Sequence, residues 1–453
     1  MSWAWEELRT TRLGEIRRDL RLAQMVEGFA EHPETSCTEA LGRAGAKAAY
    51  RFWDNPHVAA EKILAGHAEQ CVRRSKEYPV VLVAQDTTEL NLTNHPATTG
   101  TGYLGSPHCR GLFLHSLLAI SPTGVPLGVA RQITWTRPLE QLGKRHRRRK
   151  TLLKDKESQR WLDGLTATAE TFAQHPHAVL MGDRESDLFD LFAAPRPQHV
   201  DLLVRVCREH RRVEHPTRYL DTALQNEPVR GHVQIHIAAR ANRKERTATM
   251  SVRWLSLDVC APCHGPKRPS VRLNFILVEE TKPPKGEKPV RWLLATTLAV
   301  NDLQEALKYV QWYTYRWIIE RFHFVLKSGC KIEERQLESV ERMERAIPVF
   351  SIVAWRLLWL TLQARETPDA SCTMILDEFE WKPLWITVYA GKRPLPLKPP
   401  TLREAVRMIA QLGGFLARKC DGEPGPQTLW RGLRRLYDLS HGWLAARQQN
   451  ELC

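Results

Sequence analysis

Two apolar runs in this chain end in an aspartate. Tyr78-Pro79-Val80-Val81-Leu82-Val83-Ala84-Gln85 stops at Asp86, and His177-Ala178-Val179-Leu180-Met181-Gly182 stops at Asp183. A compact apolar run without polar alternation reads as a strand buried on both faces, the habit of an α/β sheet. Each strand therefore delivers an acid at its C-terminal end. Leu112–Ile120 and Val125–Trp135, joined by Ser121-Pro122-Thr123-Gly124, read as a hairpin. Lys154–Ala173 and Leu188–Ala193 fit helices, and Asp201–Val206 fits a further strand. Alternation in 233–237, 249–254 and 273–278 marks a β insertion over 207–290, after which Val290–Thr297 returns to a strand.

A third acid lies on a helix. Tyr313, Arg316, Glu320 and Lys327 are spaced 3, 4 and 7 apart. At about 100° per residue they fall within roughly 60° of one another on one face. Trp317, Ile318, Phe322 and Val325 lie off that line and are expected to pack inward. Taken alone, the row is a solvated face with an Arg316–Glu320 pair worth roughly 0.2–0.5 kcal/mol. The two aspartate strands change that reading. Asp86, Asp183 and Glu320 are far apart in sequence, so only a fold can unite them. Three converging carboxylates repel and raise one another's pKa. Two Mg²⁺ ions resolve the repulsion, taking carboxylate oxygens and leaving positions for water and phosphate; Mn²⁺ is expected to substitute. Two such ions roughly 4 Å apart stabilise both oxygens of an in-line phosphoryl displacement. Tyr313, Arg316 and Lys327 then grip the phosphates of the strand being cut. Of the other acids near Asp183, Asp187 and Asp190 read as first-turn helix residues that favour the macrodipole and need no function.

The 453-residue chain carries a net charge of +15, which points to a polyanionic partner, double-stranded DNA first. Residues 1–70 read as a helical module in which Arg9, Arg12, Arg17, Arg18, Arg21, Arg43, Lys47 and Arg51 surround an apolar stripe. Lys144–Lys150 is the densest basic run and is read as a phosphate contact. No long uninterrupted apolar run suggests a membrane span, and the N-terminus lacks a signal-peptide core, so a cytoplasmic protein is expected. The ten cysteines are expected to be reduced. Cys260-Ala261-Pro262-Cys263-His264 fits a haem-attachment pattern, but with no secretory signal it reads as a turn holding two ordinary cysteines, with no haem. Ile347–Leu362 reads as a core helix. Residues 366–453 carry a helical pair, Thr401–Leu416 and Thr428–Ala446, whose Trp and Leu are expected on a partner surface.

These segments together resemble the DDE transposases of the insertion-sequence-four family. Tyr313, Arg316, Glu320 and Lys327 match its Y-x2-R-x3-E-x6-K signature without a gap, and Asp86-Thr87-Thr88 and Asp183-Arg184-Glu185 match its two aspartate strands. Ala49-Tyr50-Arg51-Phe52 with Asn55-Pro56 resembles its DNA-binding domain. Pro283-Pro284-Lys285-Gly286-Glu287 and Trp292-Leu293-Leu294 resemble the exit of its insertion, and Leu412-Gly413-Gly414-Phe415 its dimerisation segment. The resemblance implies an RNase-H-like catalytic core (71–365) interrupted by the β insertion. A helical DNA-binding domain (1–70) and a helical dimerisation domain (366–453) would flank it. It implies cut-and-paste transposition by a homodimer on terminal inverted repeats, through a hairpin intermediate, with joining to target DNA. It places Trp292 against a flipped base, Arg205 near the cut site and Arg51 on transposon-end DNA.

The sequence departs from the family in two places. Lys144–Lys150 stands where the related transposase is acidic, and Phe324 replaces a basic residue in the signature helix. Two rivals remain: a catalytically silent, transposase-derived DNA-binding regulator, and another RNase-H-fold nuclease. The intact acid trio argues against the first, and the long insertion and C-terminal helical pair against the second.

Overall fold

The computed structural model describes residues 2–106, 108–141, 156–237, 245–263, 267–418 and 420–452. In chain order these form α1 (Trp3–Leu8), α2 (Ile16–Glu31), α3 (Cys37–Asp54), α4 (Ala60–Ser75), β1 (Val81–Asn91), β2 (Gly102–Tyr103), β3 (Arg110–Ile120) and β4 (Pro126–Trp135). Next come α5 (Gln159–Thr171), β5 (Ala178–Gly182), α6 (Phe189–Ala193), β6 (Val200–Arg205), α7 (Leu220–Asn226), β7 (Gly231–Ile237), β8 (Arg246–Val259), β9 (Val271–Glu280) and β10 (Arg291–Thr296). The chain closes with α8 (Leu303–Tyr315), α9 (Trp317–Phe324), α10 (Val340–Glu366), α11 (Glu378–Val388), α12 (Leu402–Leu412) and α13 (Pro426–Leu452). The Lys144–Lys150 run lies outside the described residues.

Strand pairing follows the order β2-β3-β1-β5-β6-β10-β9-β8-β7, with β4 on β3. β5 is parallel to β1 and to β6, whereas β6, β10, β9, β8 and β7 are successively antiparallel. This mixed α/β architecture, with helices at both ends of the chain and a β-rich insert, agrees with the fold class expected from the sequence. The insertion's strands extend the sheet through β10. The helices α7 and α11 and the short β2 were not anticipated.

Chain contacts divide the molecule into two units. One comprises residues 1–77, 87–146 and 318–453, and the other residues 78–86 and 147–317. β1 contributes to both.

In the first unit, α1 and α4 are tied to β4 by a buried polar network. Glu7 accepts from His67 Nδ1 at 2.6 Å and from both Arg74 terminal nitrogens at 2.8 and 2.9 Å. His67 Nε2 accepts the Val129 N–H at 2.8 Å, which fixes the ring as the neutral Nδ1–H tautomer. Burial alone would raise the Glu7 pKa, but the hydrogen bond from His67 and the Arg74 guanidinium outweigh it and hold the carboxyl below its ordinary value. A second buried cation, Arg335, donates to the Pro33, Thr35 and Cys330 carbonyls and lies over Phe350 at 4.5 Å. It holds the α2–α3 connection to the core. α10 is long and apolar enough to cross a membrane, yet 78% of its most apolar stretch is buried within the protein; it is the core helix expected from Ile347–Leu362.

α13 buries the first of its two tryptophans, where the sequence reading expected Trp and Leu on a partner surface, while Trp443 is half-buried. Leu429, Trp430 and Leu436 are buried. The Trp430 ring fits against Gly329 so closely that a Cβ there would sit 2.9 Å from it. The apolar stripe of α13 is used up by α11 and α12, with which Leu384, Leu402, Ile409 and Leu436 form one cluster. Among the described residues of this region, the exposed large apolar side chains are instead Met374, Phe379, Leu395, Leu397 and Leu416.

Candidate active site

In the second unit, Asp86, Asp183, Arg205 and Trp292 lie towards the same end of four neighbouring paired strands, β1, β5, β6 and β10. Ala84 of β1 pairs with Met181 of β5 in parallel register, so Asp86 and Asp183, each two residues further on, lie side by side. Gly182 pairs with Val204 of β6, which brings Asp183 beside Arg205. Arg205 in turn pairs with Leu294 of β10, and Trp292 shares the face of Leu294 two residues away. The Arg205 guanidinium lies 5.8 Å from the Trp292 ring, and Tyr313 of α8 meets that ring edge-on at 6.3 Å.

The backbone after β5 explains how Asp183 is presented. Gly182 is followed by a single 3₁₀ turn, Arg184–Ser186. A Cβ at Gly182 would sit 2.1 Å from Ser186 Oγ, so only glycine lets the turn fold back this tightly. Asp183 caps the turn: its Oδ1 accepts the Glu185 N–H at 2.8 Å, and its carbonyl accepts Ser186 Oγ at 2.7 Å. Glu185 is turned to Arg160 at 2.7 Å.

The signature helix departs from the ideal row. Arg316, itself in helical conformation, lies between α8 and α9, and Val325–Gly329 forms a π-helical turn. Tyr313 and Arg316 are buried, so the solvated-face reading of this helix fails for both. Burial pushes the Tyr313 phenol up to about 12, opposed by Arg316 and Arg205 and reinforced by Asp183. Burial also lowers the Arg205 pKa, with Arg184 and Arg316 adding to the effect and Tyr313 opposing it. Ile318, Phe322 and Val325 pack inward as expected, but Trp317 does not. It is 47% exposed, with Arg316 5.5 Å from its ring.

Glu320 and Lys327 belong to the first unit. Glu320 is partly exposed on α9. Lys327, on the π turn, donates to the Glu89 carbonyl at 2.7 Å and pairs with Glu333 at 3.2 Å. Beside it, burial and then Lys327 press the His323 pKa down to about 3, so this ring is neutral. Arg51 is exposed on α3, with Arg43, Lys47 and Tyr50 also exposed along that helix. Among the described residues, no three His, Cys, Asp or Glu side chains are gathered as a metal-ligand group. Asp86 and Asp183 carry hard oxygen donors of the kind Mg²⁺ prefers, an ion commonly held by one or two carboxylates with water and phosphate oxygens completing its shell.

The sequence reading missed Asp187. It is not an idle first-turn acid: its carboxylate is 1% exposed and pairs with Arg211. Asp190 does lie in the first turn of α6, where it pairs with Arg268 at 2.6 Å. Cys260 is half-buried and Cys263 exposed, and neither forms a disulfide.

Three family models match the chain. Residues 1–58 match the model described as transposase DNA-binding, residues 144–350 the transposase DDE domain, and residues 352–452 the transposase Tn5 dimerisation domain. Asp183, Arg205, Trp292, Tyr313, Arg316, Glu320 and Lys327 fall within the DDE match and Arg51 within the DNA-binding match, while Asp86 lies between the two. DNA-binding, DDE and dimerisation domains in this order agree with the architecture described above, and the chain belongs to the Tn5-like DDE transposases.

Proposed function

We propose that this DNA-binding transposase is a cut-and-paste enzyme that acts on the terminal inverted repeats of its own element. Asp86, Asp183 and Glu320 are its catalytic carboxylates. The observation that carries the proposal is the side-by-side register of Asp86 and Asp183, with Arg205 and Trp292 towards the same end of the paired strands and Tyr313 against the Trp292 ring. The three carboxylates would hold two Mg²⁺ ions, or Mn²⁺ in their place, which when bound supply charge stabilisation at the attacking and leaving oxygens. Arg205, Arg316 and Lys327 offset the charge of the DNA backbone, and Tyr313 offers its hydroxyl to a phosphate oxygen. Trp292 takes up a base extruded from the stack, which relieves the tight strand reversal of a hairpin intermediate. Arg51 on α3 contacts transposon-end DNA. Two copies, joined through the dimerisation domain, hold paired ends, and the freed ends are then joined to target DNA.

The test is incubation of the protein with the element's terminal repeats and Mg²⁺, with products resolved strand by strand. Nicked, hairpin and strand-transfer products appearing in that order are expected. DNA binding with no cleavage in Mg²⁺ or Mn²⁺ would favour the silent regulator instead.

A further inference from the structure

Asp187 stands four residues after Asp183, yet its hydrogen-bond partners lie on a different segment. Its Oδ2 accepts the Cys207 N–H and the Arg208 N–H, each at 2.9 Å. Its Oδ1 accepts from Arg211, whose guanidinium also donates to the Asp187 carbonyl at 3.3 Å. Cys207 and Arg208 follow Arg205 by two and three residues. One buried carboxylate thus fastens the turn after β5 to the chain leaving β6. Desolvating a carboxylate is costly, and three donors on one group are what makes the burial tolerable.

Neither fastened segment has slack. The Asp183 turn is packed against Gly182 and closed by the Ser186–Asp183 hydrogen bond. The end of β6 is held on its far side, where Val206 donates to the Leu293 carbonyl at 2.8 Å and Arg205 to the Arg291 carbonyl at 3.2 Å. Glu209 completes the hold by pairing with Arg291. A displacement at Asp187 therefore has to move Asp183, Arg205 or both.

We propose that Asp187 is a positioning residue for DNA cleavage, setting the spacing between the Asp183 carboxylate and the Arg205 guanidinium. The inference rests on the cleavage function proposed above. It makes a distinction that a purely structural role does not. Asp187→Asn keeps an oxygen for the two main-chain N–H groups but turns an amide NH₂ towards Arg211, so the charge and the hydrogen bond to that guanidinium are lost. Asp187→Ala gives up all of these contacts.

The experiment measures first-strand nicking against Mg²⁺ concentration for both variants, well below their melting temperatures. Asp187→Ala is expected to nick at least tenfold more slowly and to need severalfold more Mg²⁺ for half-maximal rate. Asp187→Asn is expected to stay within about threefold of wild type in both, although leaving Arg211 unpaired lowers its melting temperature. In an Arg205→Gln background, Asp187→Ala should cost much less than it does alone, because the two changes act on one spacing. Wild-type nicking in Asp187→Ala would overturn the proposal. So would equal loss in the Ala and Asn variants, or full additivity with Arg205→Gln. If wild type makes no metal-dependent nick, the underlying function fails visibly, and amide exchange then decides the positional claim. Asp187→Ala should speed exchange at least tenfold in 183–188 and 205–211 together, and unchanged exchange in either segment would refute the coupling.

Discussion

Trp292 shows how much a single residue's surroundings decide. Its ring is only half-buried, faced by Arg205 and met edge-on by Tyr313, so it is a surface of the proposed site rather than a core filler. Stacking an extruded base on an indole is worth about 1–3 kcal/mol, equivalent to roughly a ten- to hundredfold change in rate. Trp292→Ala should therefore slow hairpin formation by that factor and leave first-strand nicking near its wild-type rate. The check is a time course separating the two products, with thermal melting alongside. Equal slowing of both steps with a lowered melting temperature would mean that the indole serves packing alone. Asp86 and Asp183 were legible in the sequence because each ends an apolar run, a signal carried by adjacent residues. Asp187 was not, because its burial comes from Cys207, Arg208 and Arg211, and nothing near it in sequence announces them.

At the scale of elements, periodicity located most strands and helices but not their irregularities. The hairpin β3–β4, β5 and the core helix α10 follow from uniform apolar runs, but β1 does so only in its first half, since it continues past Asp86, where the apolar run stops, to Asn91. The π turn at Val325–Gly329 does not, since a helix wheel assumes one twist throughout. The junction of α2, α11 and α13 gives a pH prediction. Glu31 of α2 and Glu380 of α11 line a cavity of about 480 Å³ together with Glu27 and Tyr437. Burial pushes Glu31 up to about 7, with Glu27 and Glu380 adding to the effect and a Tyr437 hydrogen bond opposing it. Burial likewise raises Glu380 to about 7. The unfolded chain loses these protons near 4.5 and the folded chain near 7. The junction is therefore most stable below pH 4.5, weakens as pH rises towards 7, and changes little above that. Glu31→Gln should raise the melting temperature at pH 8 and leave it unchanged at pH 4. A melting temperature equally shifted at both values would show that Glu31 is ionised throughout.

For the whole molecule, the central question is how a dimer on DNA uses three domains. Among the described residues of the dimerisation region, the exposed large apolar side chains are Met374, Phe379, Leu395, Leu397 and Leu416, whereas Leu429, Trp430 and Leu436 of α13, in the expected C-terminal helical pair, are buried. Helical periodicity shows that a helix has an apolar side but not which neighbour covers it, and α11 and α12 cover this one. Changing Leu397 and Leu416 together to Asp should preserve binding of a single DNA end and weaken the paired-end complex at least tenfold, as read by gel shift. An unchanged paired-end complex would exclude these side chains from the interface. The central claim is that Asp86, Asp183 and Glu320 act as one metal-dependent catalytic set, and a strand-resolved cleavage assay on terminal-repeat DNA in Mg²⁺ tests it most directly. Asp86→Ala, Asp183→Ala and Glu320→Ala, assayed beside wild type, should each bind the DNA with near wild-type affinity and yield no nicked, hairpin or joined product. Cleavage at near wild-type rate by any one of the three would contradict the account.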